Sequence, residues 1–114
     1  MTTRAFVLGT RGSRLALAQS TTVARAIEEA GARLGEEVRV NLEVVRTHGD
    51  VSAAPLAALG GVGVFAAQLR LALLGGECDL AVHSFKDLPT APTPGLRIAA
   101  VPQREDPRDA LCAA

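Results

Sequence analysis

Three short stretches of this 114-residue chain set side chains of contrasting chemistry next to one another. Arg11 and Ser13 occur in "TRGS", His48 and Asp50 close "RTHGD", and Ser84, Lys86 and Asp87 come together in "HSFKD". Guanidinium, ammonium and hydroxyl groups in such company are donors for a carboxylate, and charge-assisted hydrogen bonds of that kind are short and strong. Asp87 adds a carboxylate to the same company.

Each of these residues also has an ordinary reading. Arg11 and Ser13 suit a solvated arginine and a helix cap, and His48 a loop histidine. Asp50 suits an Asx-turn after Gly49. Lys86 and Asp87 suit surface charges at the turn before Pro89. The glycine loop "GGVG" around Val62 lacks the lysine and the Ser or Thr of a phosphate-binding loop. Taken singly, the ordinary readings win, so the elements that position these residues decide their weight.

"AFVLG", from Ala5 to Gly9, is an apolar run of strand length. A helix is expected after it, capped by Ser13 without a Glu or Gln three residues on; apolar residues fall at Leu15, Leu17, Val23, Ala24, Ile27 and Leu34, and the later part of that spacing suits a helix laid on a sheet. Gly31 and Gly35 are its expected stops. "EVRVNLEVVRT" alternates, Val38, Val40, Leu42 and Val44 facing one way and Arg39, Asn41 and Glu43 the other, which predicts a strand. A second helix is expected through Phe65, Leu69 and Leu73, ending on Gly75-Gly76. "DLAVHS" and "LRIAAV" read as two further strands, separated by the proline loop "PTAPTPG".

Strands alternating with helices mean an α/β layer. In open α/β sheets, ligands gather beyond the carboxyl ends of the strands. The TRGS, RTHGD and HSFKD clusters all fall at such ends.

Composition narrows the function. Twelve basic residues balance twelve acidic ones, so no global field recruits nucleic acid or an anionic membrane. Three Phe, with no Trp or Tyr, argue against base-stacking platforms. No apolar run reaches the roughly 18 residues of a membrane span, and the N-terminus lacks the pattern of a signal peptide, so a cytoplasmic protein is expected. Cys78 and Cys112 fit no metal spacing and read as ordinary buried thiols, with no metal site expected.

Four stretches, "TRGSRLALAQ", "GDV…PLAALGGVGVF", "LAVHSFKDLP" and "REDPRDAL", in this order and spacing, closely resemble the first domain of the porphobilinogen deaminase (hydroxymethylbilane synthase) family. The resemblance implies a type II periplasmic-binding-protein-like domain, a mixed sheet flanked by helices, expected to be incomplete in this chain. It places that domain at residues 1–101 and a hinge with the start of a truncated second domain at 102–114. The implied activity is the joining of four porphobilinogens into hydroxymethylbilane with release of ammonia, in tetrapyrrole biosynthesis. The implied cofactor is a dipyrromethane, whose attachment cysteine matches neither Cys78 nor Cys112. The implied partners are porphobilinogen, the growing oligopyrrole and the missing second and third domains.

Carried over by position, Asp87 matches the catalytic aspartate. Arg11, Ser13, Gln19, Ser84 and Lys86 match residues that hold acetate and propionate side chains or lie close to them. Asp50 and His48 are weaker candidates, Asp50 with an equal claim to a structural role. Three positions depart from the family's pattern: Val62 replaces a lysine in the glycine loop, Ala58 a further lysine, and His48 an arginine. Carboxylate binding on that side is therefore expected to be poorer. The alternative is a truncated non-catalytic module that binds a small carboxylate or a partner chain. A stand-alone periplasmic-type binding protein is disfavoured by the N-terminus.

Overall fold

The computed structural model describes residues 3–45, 66–88 and 91–103. His48, Asp50, Ala58, Val62, Phe65 and Cys112, together with the hinge from residue 104 onward, lie outside the described residues.

Strand β1 runs over Thr3–Thr10, helix α1 over Arg14–Arg33 and strand β2 over Glu37–Val44. Helix α2 spans Ala67–Leu74, strand β3 is Leu80–Ala81, and a 3-10 turn occupies Phe85–Asp87. The described sheet has the order β2-β1-β3 and is parallel throughout, with Phe6 opposite Val40 and Leu8 opposite both Leu42 and Leu80.

The ends of α1 follow from local chemistry. Ser13 is the N-cap, its hydroxyl accepting the Ala16 N–H at 3.2 Å. At the other end Gly35 takes φ +77°, and the Glu36 and Gly35 amides bond back to the Gly31 and Ala32 carbonyls at 2.9 and 3.0 Å. That is a Schellman ending. Gly31 is not a stop: it lies inside α1, buried, where a Cβ would stand 2.9 Å from Val38 Cβ. It allows close approach of α1 to β2. Helix α2 ends as the Gly75-Gly76 pair predicts, Gly76 taking φ +77° and Glu77 N–H reaching the Ala72 carbonyl at 2.9 Å.

Leu8, Ala24 and Val40 are buried together, with Phe6, Val23, Ile27, Val38, Leu42, Leu80 and Val82 packed around them. Successive strand residues face opposite sides. Leu8 thus turns to α1 while Gly9 turns to α2, where a Cβ would lie 2.8 Å from Cys78 Sγ and 3.2 Å from Leu69 Cδ2. Helices cover both faces of β1, as an α/β layer requires.

Three expectations need correction. "LRIAAV" was expected as a strand but has no strand pairing among the described residues, and Ile98 and Val101 are 62% and 63% exposed. Leu34 does not join the apolar stripe of α1, being 80% exposed. It is the C-cap residue, beyond the stretch that rests on the sheet. The strand in "DLAVHS" is only two residues long, because the chain leaves β1 after Ala81.

Candidate functional site

Both loops that carry candidate residues leave the same end of the parallel sheet. Arg11 and Ser13 follow β1, while Val82, His83 and Ser84 follow β3 and lead into the 3-10 turn with Lys86 and Asp87. Because β1 and β3 are parallel neighbours, the two segments meet. They enclose a pocket of about 50 Å³ lined by Arg11, Ser13, Gln19, His83, Ser84, Lys86 and Asp87, with Leu15, Ala16 and Val82 as apolar wall. That interior has room for a few waters or one carboxylate. Every described residue that the sequence nominated is here.

Within the pocket Arg11 Nη1 lies 3.9 Å from Asp87 Oδ2. The two opposite charges face one another across the pocket. Ser84 donates to Gln19 Oε1 at 3.2 Å, tying the β3 loop to α1. Gln19 lies two turns into the helix, on the face carrying Ser13 and Ala16 at three-residue intervals. Lys86 is exposed at the rim, whereas Asp87 and Ser84 are half-buried.

Sequence reasoning passed over His83 as a site residue, although it stands beside Ser84. Burial holds its imidazole below the ordinary value of 6.5; nearby Asp87 pulls it up, and Arg70 and Arg11 push it down. Its apolar flank, in "LAVHS", was the available signal for a half-buried histidine at a strand end.

Cys78 fits the ordinary reading of a buried thiol. Burial is the largest cause raising its pKa, opposed by a hydrogen bond with the Gly9 backbone, and Glu43, Asp79 and Glu77 raise it further. Such a thiol stays protonated and unreactive. Among the described residues no group of three or more His, Cys, Asp or Glu side chains could hold a metal ion, and no helix is long and apolar enough to cross a membrane.

The family model described as "Porphobilinogen deaminase, dipyromethane cofactor binding domain" matches residues 6–114. The chain belongs to the porphobilinogen deaminase family. It is 58% identical over 106 residues to the porphobilinogen deaminase of Cutibacterium acnes, covering 93% of this chain and 30% of that protein. It is 56% identical to that of Leifsonia xyli subsp. xyli, with 93% and 31% covered, and 54% identical to porphobilinogen deaminase 1 of Streptomyces coelicolor, with 99% and 34% covered. The chain thus spans about a third of the length of these relatives.

The polar lining has the chemistry to meet one carboxylate of a dipyrromethane, a group that carries acetate and propionate carboxylates: Arg11 and Lys86 are cations and Ser13 and Ser84 hydroxyl donors, while Asp87 is an acceptor beside them.

Proposed function

We propose that this chain supplies the first α/β domain of a porphobilinogen deaminase, with residues 1–101 forming that domain and residues 102–114 leading into a second. In the complete protein the reaction polymerises four porphobilinogens into hydroxymethylbilane, releasing ammonia at each addition. The observation that carries this reading is a pocket that gathers Arg11 and Ser13 from the β1–α1 connection, Gln19 from α1, and Ser84, Lys86 and Asp87 from the segment after β3. Dipyrromethane, when bound, supplies the primer whose terminal ring is extended. Its attachment cysteine is assigned to the part of the relatives beyond this chain, since Cys78 is buried and held protonated.

The residues divide the work by charge. Arg11 and Lys86, helped by the Ser13 and Ser84 hydroxyls, hold the acetate and propionate groups and so fix the pyrrole ring. Gln19 holds Ser84 in place. Asp87 would accept from the ring N–H. As the C–N bond of the aminomethyl group breaks and ammonia leaves, positive charge spreads into the ring, and the Asp87 carboxylate stabilises it. A new C–C bond then forms to that carbon, and Asp87 helps to remove the proton displaced from the attacking ring carbon.

The test is porphobilinogen turnover by this chain joined to the remaining two-thirds of a relative. Turnover is expected, and Asp87→Asn should lower it by about a hundredfold or more, the loss typical of removing one preorganised electrostatic contact. An Asn variant with full activity would remove Asp87 from the mechanism. Porphobilinogen binding without turnover would favour the non-catalytic module instead.

A further inference from the structure

Two hydroxyl side chains behind the pocket have no part in the account so far. Thr10, the last residue of β1, and Ser20, in α1, are both fully buried. Ser20 Oγ donates to Thr10 Oγ1 at 2.9 Å, and Thr10 Oγ1 donates to the Arg11 carbonyl oxygen at 2.9 Å. An apolar pair of similar volume would fill this space without the desolvation cost that buried hydroxyls carry. What the hydroxyls add is direction: the relay ends on the peptide oxygen of Arg11. The peptide on the other side of Arg11 is also held, because the Thr10 carbonyl accepts the Val45 N–H at 2.8 Å. With both flanking peptide planes held, the Cα–Cβ direction from which the Arg11 side chain starts is held too; its guanidinium ends 3.9 Å from Asp87. Ser20 directly follows Gln19, which holds Ser84, so one turn of α1 anchors both pocket loops.

We propose that Thr10 and Ser20 are positioning residues for the ligand pocket, aiming Arg11 at Asp87 through a buried hydroxyl relay to the Arg11 carbonyl. This deepens the carboxylate-holding reading of Arg11 and rests on it for its functional meaning. The relay itself is a claim about where Arg11 stands.

His83 reports that position. The charged groups facing it are Asp87 from the 3-10 turn, Arg11 from the β1–α1 loop and Arg70 from α2. If the relay is cut and the Arg11 cation withdraws, one repulsive charge is lost and the His83 titration midpoint rises. The experiment is an NMR pH titration of the His83 ring in the 114-residue chain. Ser20→Ala and Thr10→Val are expected to raise the midpoint toward that of Arg11→Gln, while Thr10→Ser keeps it at the wild-type value. Val23→Ala thins the packing beneath α1 without touching the relay and should leave the midpoint in place, separating positioning from general loosening. Should Thr10→Val fail to fold, the milder Ser20→Ala decides. An unmoved midpoint in Ser20→Ala overturns the proposal, and so does one unmoved in Arg11→Gln. A moved midpoint in a chain that binds no porphobilinogen would keep the relay and remove the carboxylate-holding reading.

Discussion

Arg11 and Asp87 come from different loops, yet they stand 3.9 Å apart with side chains only 20% and 18% exposed. The Nη1–Oδ2 separation exceeds hydrogen-bond reach. Asp87→Asn keeps the side chain's size and should therefore cost less than the roughly 3–5 kcal/mol of breaking a close buried ion pair, while removing the proposed turnover. Urea unfolding of the variant beside the wild-type chain checks this. A loss of several kcal/mol would make Asp87 a structural anchor rather than a functional group.

Stability should fall on mild acidification because of His83. Its folded-state pKa is lowered, chiefly by burial, from 6.5. Between that value and the lower folded one, the unfolded chain binds more protons than the folded chain. The contribution is fully present above pH 6.5 and is lost as pH drops through that window. Thermal unfolding at a series of pH values should show this slope, and His83→Gln should flatten it.

Gly9 is confined by its neighbours rather than by its dihedral angles. An added Cβ would lie 2.8 Å from Cys78 Sγ, so Gly9→Ala should destabilise by about 1–3 kcal/mol through overpacking. Cys78→Ala removes the obstructing sulfur. The double variant should then be more stable than the sum of the two single changes predicts, a coupling measurable by a double-mutant cycle.

Glu28 closes one side of β2. Its Oε2 accepts the Val40 N–H at 2.9 Å while its other oxygen holds Arg25 Nη1 at 2.8 Å. Glu28→Ala should free that amide and cost about 1.5–3 kcal/mol, the range for a hydrogen bond to a charged acceptor. Amide exchange should accelerate at Val40 more than at Leu8, which lies in the covered strand β1.

Much of this architecture is legible in the residues because local chemistry agrees with the fold. Val38, Val40 and Leu42 alternate with charged or amide neighbours, and β2 forms there. Ser13 caps the helix it precedes, and Gly75-Gly76 ends the next. The site was legible for the same reason: both motifs follow parallel strands, so their side chains converge. The rest depends on packing that no spacing displays. Gly31 looks like a helix stop until Val38 is found against it, and "LRIAAV" has strand composition without a paired neighbour in the described structure. Ser20 sits in a polar run on α1, and only the fold shows its hydroxyl turned inward to Thr10. His83 escaped notice because its significance lies in three charges brought near it from other elements.

The most direct test of the pocket is a porphobilinogen titration of the isotopically labelled chain, followed by amide chemical shifts. The account predicts shifts concentrated at Arg11, Ser13, Gln19, Ser84, Lys86 and Asp87, and their loss in a chain carrying both Arg11→Gln and Lys86→Ala. Shifts that avoid these residues, or that survive the double change, would contradict it.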